Sequence, residues 1–147
     1  MECVQSLFRG WAKTRTASVI MEKLFNPDYL LSLCKKFGLT PSKQYGQNYL
    51  LDSEVIASMI DAAKIGPDDL VIEVGPGFGV LTLPLTEVAK KVISYEIEKK
   101  LAPYWENLQN NHPNLTVEWG NVLKTFVPPS GPYKVVANLP YQITSAV

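Results

Sequence analysis

Apolar residues recur at helical spacing in the first half of the chain and gather into short β-rich runs in the second. Asn26 followed by Pro27 reads as an N-cap and first-turn pair. Leu30, Leu33, Cys34 and Phe37 then fall on one face until Gly38 ends the run. Asp52 and Ser53 cap a second amphipathic helix in which Ile56, Met59, Ile60 and Ala63 share a face, and Gly66 and Pro67 break it. From Leu70 onward the runs at 70–74, 92–96, 115–119 and 134–137 predict four strands, with helices expected over 80–89 and 98–110. Strands alternating with helices predict an α/β domain built from βαβ units around a parallel sheet. Pro84 and Pro103 sit near the starts of the two intervening helices, where a missing N–H costs little. The Pro-rich stretch 127–132 reads as a turn into the fourth strand.

Composition narrows this picture. The 147 residues are 46% hydrophobic and 19% charged, the balance of one globular domain with an ordinary core. Fourteen basic side chains offset fourteen acidic ones, so any contact with a polyanion must be local. Cys3 and Cys34 have no metal-ligand spacing, which predicts no metal site and a reduced, cytoplasmic compartment. No apolar run reaches the roughly 20 residues of a membrane span, so a membrane-integrated protein is not expected. Arg9, Lys13 and Arg15 stand among Ser and Thr with Glu2 as the only acid, a weak likeness to an organellar presequence. The reading preferred here makes Met21 the true start, residues 1–20 a poorly ordered extension and 21–147 the domain.

Three elements carry chemistry. The first strand runs directly into Gly75, Gly77 and Gly79, which lets the backbone turn sharply and approach a ligand closely. Glycine-rich turns also serve packing, and G-x-G-x-G is not the dinucleotide pattern, so this element alone decides nothing. Glu96 ends the second strand twenty-one positions after Gly75, where an acid accepts hydrogen bonds from both hydroxyls of an adenosine ribose. Pro76 removes one N–H from the turn, which suits S-adenosylmethionine better than a pyrophosphate-bearing nicotinamide cofactor. Asn138, Leu139, Pro140 and Tyr141 follow the fourth strand at the carboxyl end of the sheet.

An exocyclic adenine amine is a poor nucleophile, because its lone pair is delocalised into the ring. Two acceptors on its N–H groups, the Asn138 side-chain oxygen and the Leu139 carbonyl, favour a pyramidal nitrogen aimed at a methyl group. Pro140 stiffens the turn, and Tyr141 offers a flat face to a base taken out of its stack. His112 reads as a residue of a solvated polar loop, Trp105 and Trp119 as packing aromatics, and the lysines at 35, 36, 43, 90, 91, 99 and 100 as solvated faces.

The stretches 43–52 (KQYGQNYLLD), 73–82 (EVGPGFGVLT), 95–98 (YEIE) and 137–145 (ANLPYQITS) resemble the ribosomal RNA adenine N6,N6-dimethyltransferases, from about residue 26 to the end. The resemblance implies a Rossmann-like S-adenosylmethionine-dependent fold with a helical N-terminal lead, acting on small-subunit ribosomal RNA. It implies that Asn48 and Leu50 close over the cofactor, that Gly75 and Gly77 shape its cradle, that Glu96 holds its ribose and that Asn138 lies between cofactor and target. Asn121 stands where the family usually has an acid that accepts from the cofactor adenine's amine; an amide oxygen still accepts, without charge assistance.

Family members continue past this point, so the resemblance also implies a fold cut after its fourth strand. Such a chain is expected to bind cofactor feebly, to methylate little RNA, and to associate through the exposed strand edge. A non-catalytic cofactor- or RNA-binding relative and a nicotinamide-dependent enzyme are the alternatives.

Overall fold

The computed structural model describes residues 15–40 and 52–139. Its elements are α1 (Arg15–Leu24), α2 (Pro27–Lys36), α3 (Ser53–Ala62), β1 (Leu70–Val74), α4 (Thr82–Val88) and β2 (Lys91–Glu96). A 3₁₀ turn (Lys99–Leu101), α5 (Ala102–Asn111), β3 (Leu115–Trp119), a short α6 (Val122–Thr125) and β4 (Lys134–Ala137) follow. Three strands match their predicted bounds, and β2 begins one residue earlier than expected.

Local chemistry starts and stops these helices. The Asn26 side chain accepts from the N–H groups of Asp28 at 2.9 Å and Tyr29 at 3.2 Å, and Pro27 opens α2. Gly38, at φ +63°, ends that helix as Leu39 N–H bonds back to Cys34 O at 2.8 Å. Asp52 caps α3 in the same way. The end of α3 differs from expectation: the chain turns at Lys64, which takes φ +50°, before it reaches Gly66. Ile65 N–H bonds to Ile60 O across that turn. Helix α1 runs from Arg15 to Leu24, across Met21, and Met21 and Leu24 are buried in the core. The third and fourth predicted helices are shorter than expected, and the second of these opens as a 3₁₀ turn before α5, in which Pro103 lies in the first turn.

All four strands are parallel, in the order β3-β2-β1-β4. Val71, Val92, Leu115, Val117 and Val136 turn one sheet face toward a single core shared with Met21, Leu30, Ile56, Leu85 and Trp105 from the helices. The helical crossovers from β1 to β2 and from β2 to β3 advance in one direction, which places α4 and α5 on that same face. The opposite face carries Ile72, Val74 and Tyr95. Phe126, after α6, packs edge-on to Tyr95 at 5.8 Å.

Below the sheet, Lys134 bridges Asp69 at 2.8 Å and donates to Lys64 O, while Asp69 accepts from Gly66 N–H at 2.7 Å. These bonds, chiefly the one from Lys134, hold the Asp69 carboxyl below its usual range. Among the described residues no helix is long and apolar enough to cross a membrane.

A side chain at φ +50° is strained and glycine is not. Lys64→Gly is therefore expected to stabilise the fold by ~0.5–1 kcal/mol in thermal or denaturant unfolding. An unchanged or lowered midpoint would show that the Lys64 cap stores no strain.

Candidate functional site

The register of the sheet assembles the site. Val74 of β1 pairs with Tyr95 of β2 and with Ala137 of β4. The next rung therefore holds Gly75, Glu96 and Asn138, with Glu96 paired to Trp119 on its other side. Gly75 N–H continues the ladder onto Tyr95 O at 2.9 Å. Neighbouring strands lie ~4.8 Å apart, so Asn138 stands about two strand spacings, ~10 Å, from Glu96 with the glycine turn between them. Strand order reverses between β1 and β4, and in open α/β sheets ligands bind outside the carboxyl ends at such a switch point.

The glycine turn divides into two functions. Gly75 and Gly77 take φ +73° and +55°, and a Cβ built on either meets nothing within 4 Å, so open space lies before them. Gly79, at φ +88°, is different: a Cβ there would lie 3.0 Å from Trp105 Cη2 and 3.4 Å from Leu83 Cγ. That glycine exists for packing, which corrects the reading of all three as ligand-facing. From behind, Trp105 Nε1 donates to Gly77 O at 3.1 Å and Tyr104 Oη donates to Phe78 O at 2.8 Å.

Glu96 is 5% exposed. Its Oε2 accepts from Gly77 N–H at 3.1 Å and its Oε1 from Glu98 N–H at 2.8 Å. Burial pushes its pKa up, opposed by these backbone donors. The bonds tie the acid to the turn and leave further acceptor positions on both oxygens. Beside it Ile97 is 66% exposed, a large apolar face at the mouth of the site that sequence reasoning missed. Asn121 follows Gly120, whose N–H bonds Glu96 O at 2.8 Å, and its Oδ1 caps α6 by accepting from Leu123 N–H at 3.0 Å. Asn138 and Leu139 directly follow β4, while Asn48, Leu50, Pro140 and Tyr141 lie outside the described residues. Among the described residues no group of three or more His, Cys, Asp or Glu is placed to hold a metal ion.

Glu73 was also missed, although a lone acid in an apolar strand signals a paired, buried group. It is 1% exposed and accepts from Ser94 Oγ at 2.6 Å. The Thr82 hydroxyl, buried at the start of α4, faces the same carboxyl without completing a hydrogen bond. Burial, with a smaller contribution from the Glu96 charge, raises the Glu73 pKa to about 7 against the help of Ser94 and Thr82. His112 departs from the expected solvated loop: it caps α5 half-buried, with Nδ1 3.2 Å from Thr86 Oγ1, and burial lowers its pKa. It lies at the amino end of the sheet, remote from the rung, and has no role in the site. Trp105 is fully buried, as a packing aromatic should be.

Comparison with known proteins agrees with this geometry. The family described as "Ribosomal RNA adenine dimethylase" matches residues 38–147. The chain belongs to the ribosomal RNA adenine dimethylase family. That membership sets aside the nicotinamide alternative.

A probable ribosomal RNA small subunit methyltransferase A of Methanococcus aeolicus is 42% identical over 106 residues, 72% of this chain and 39% of that protein. The ribosomal RNA small subunit methyltransferase A of Listeria innocua is 36% identical over 130 residues, 82% of this chain and 44% of that protein. Among solved structures, the 23S rRNA methyltransferase ErmE superposes with a TM-score of 0.63 at 41% identity, covering 67% of this chain and 40% of that one. A dimethyladenosine transferase from Plasmodium falciparum gives 0.55 at 35% identity, covering 65% and 34%. The chain thus spans about two fifths of the length of the curated relatives it matches.

The Glu73 pKa implies a definite pH dependence. Its folded-state value lies above the ordinary 4.5. Its contribution to stability is therefore complete below pH 4.5 and is lost as pH rises to about 7. Glu73→Gln, which still accepts from Ser94 and can donate to Thr82, is expected to flatten the stability profile across that window and to gain ~1–3 kcal/mol at pH 7.5. Parallel pH profiles for the two proteins would show that Glu73 does not titrate there.

Proposed function

We propose that this chain carries the cofactor cradle and target-positioning turn of an S-adenosylmethionine-dependent adenine N6-dimethyltransferase acting on small-subunit ribosomal RNA. The single observation that carries the reading is the shared rung. It sets an open glycine turn between a buried acid and the Asn138 strand end at the sheet's switch point. The names of the relatives support the RNA substrate.

The residues present fit the cofactor. Gly75 and Gly77 offer a cradle that any Cβ would narrow, and Glu96, its two oxygens already oriented by Gly77 and Glu98 N–H groups, has acceptor positions for two ribose hydroxyls. Ile97 supplies an apolar face for the adenine ring, and Asn121 Oδ1 keeps a second lone pair for the ring's amine. When bound, S-adenosylmethionine supplies an electrophilic methyl carbon on a sulfonium.

The protein's part is positioning. Asn138 Oδ1 and the Leu139 carbonyl accept the two N–H bonds of the target amine, which withdraws its lone pair from the ring and directs it at that carbon. With the cofactor held over Gly75 and Gly77, its methyl group would be passed to the nitrogen so positioned, and the amine, acidified by alkylation, would give its proton to water. No general base is required. The same reading assigns the protein to a reduced, cytoplasmic compartment.

Calorimetry on this chain is expected to show binding of S-adenosylmethionine in preference to NAD. Glu96→Gln should weaken that binding ~10–100-fold, the worth of a charge-assisted hydrogen-bond pair. Asn138→Ala should leave affinity within about 3-fold and reduce methyl transfer to undermodified small-subunit RNA by ~100-fold or more. Preference for NAD, or a Glu96→Gln variant that binds normally, refutes the cofactor assignment. Cofactor binding with no transfer, even when the carboxyl-terminal portion that the longer relatives carry is supplied, selects the non-catalytic alternative.

A further inference from the structure

We propose that Tyr104 and Trp105, consecutive residues of α5, are positioning residues that clamp the glycine turn in its cofactor-receiving shape. The inference rests on the cofactor reading above and extends it to groups that touch neither cofactor nor RNA.

Successive side chains on a helix point ~100° apart and seldom serve one target. Here both reach the same dipeptide. Trp105 Nε1 holds Gly77 O at 3.1 Å and Tyr104 Oη holds Phe78 O at 2.8 Å. In a trans peptide the C=O and N–H point in opposite directions, so drawing the Gly77 carbonyl toward α5 turns the Phe78 N–H away from it. The clamp thereby fixes the orientation of the peptide next to the open cradle.

Packing reinforces the bonds. The Tyr104 and Trp105 rings meet edge-on at 5.5 Å, and Phe78 packs edge-on to Tyr104 at 5.5 Å and against Phe37 at 6.3 Å. The indole fills the space that a Cβ on Gly79 would need. Partial burial drives the Tyr104 pKa upward, so the phenol stays neutral and remains a donor.

The clamp is also joined to the ribose acid. Glu98 N–H bonds Glu96 Oε1, and Lys100 N–H bonds Glu98 Oε1 at 3.1 Å, so one continuous stretch from 96 to 105 carries both. Glu96 in turn holds Gly77 N–H. Gly77 is therefore gripped on both sides, its N–H by the acid and its carbonyl by the indole, and the spacing between ribose site and turn is fixed by covalent geometry along α5.

The test uses the full chain, with Tyr104→Phe as the conservative variant and Trp105→Phe as the stronger one. Amide hydrogen exchange without ligand is expected to quicken at least 10-fold at Phe78 and Gly79 while the β2 amides of Val92 and Ser94 keep their protection. Affinity for S-adenosylmethionine should fall about 5–20-fold in the same variants. Gly79→Ala should cost less affinity in the Trp105→Phe background than alone.

Faster exchange spread equally over β2, or local exchange with unchanged affinity, would make the two aromatics ordinary core and overturn the proposal. A parent chain that binds no S-adenosylmethionine overturns the cofactor reading and this inference together. A parent that binds while both variants bind equally well overturns the clamp alone.

Discussion

Everything at the site depends on the register of β1 between its two parallel neighbours. Because Val74 pairs with Tyr95 on one side and Ala137 on the other, three strands that differ in length and origin end on one rung. A slip of one residue would turn Glu73 onto the face of Ile72 and carry Gly75 past Asn138. It would also put Val71 on the wrong side of the sheet. The core thus enforces the register that the site needs: burial of Val71, Val92, Val117 and Val136 under α4 and α5 aligns residues that never touch that core.

Two acids on the same sheet face differ in the donors that meet them. Glu73 lies one pleat below the rung and is closed in by the side-chain hydroxyls of Ser94 and Thr82, so it is held near neutrality, with a pKa of about 7. Glu96 lies at the rung and is met by backbone N–H groups from Gly77 and Glu98. Backbone donors favour the charged form and cannot rotate away, so this carboxylate stays aimed at the mouth of the cleft. The Glu96 charge also raises the Glu73 pKa, which keeps the inner acid inclined to hold its proton when the outer one is ionised.

The sequence made the sheet legible almost to the residue, because short β-branched runs bounded by glycine or polar turns allow few other readings. The sequence singles out Gly75, Gly77, Glu96 and Asn138 because each sits at or just past a strand end, and the register brings Gly75, Glu96 and Asn138 to one rung. What escaped detection depends on contacts between distant segments. Nothing local distinguishes Gly79 from Gly77; only the arrival of Trp105 from α5 gives it a different purpose. Helix α1 was hidden because its apolar pair, Met21 and Leu24, is too sparse to declare a period. The stop of α3 at Lys64 was hidden because Gly66, two residues on, is the better candidate by conformational preference, yet the bond from Lys134 to Lys64 O pins the chain earlier.

Asn121 shows why a departure from the family pattern need not break the site. An aspartate and an asparagine cap a helix about equally well, so α6 keeps the N–H bond from Leu123 with either residue. What the amide removes is a negative charge one residue beyond the Gly120 N–H that anchors the Glu96 backbone. With an acid there, Glu96 would ionise against another like charge as well as against burial. On the roles proposed above, an amide lets Glu96 ionise more readily while the bond to a cofactor amine loses charge assistance, so the two effects on cofactor affinity would oppose each other.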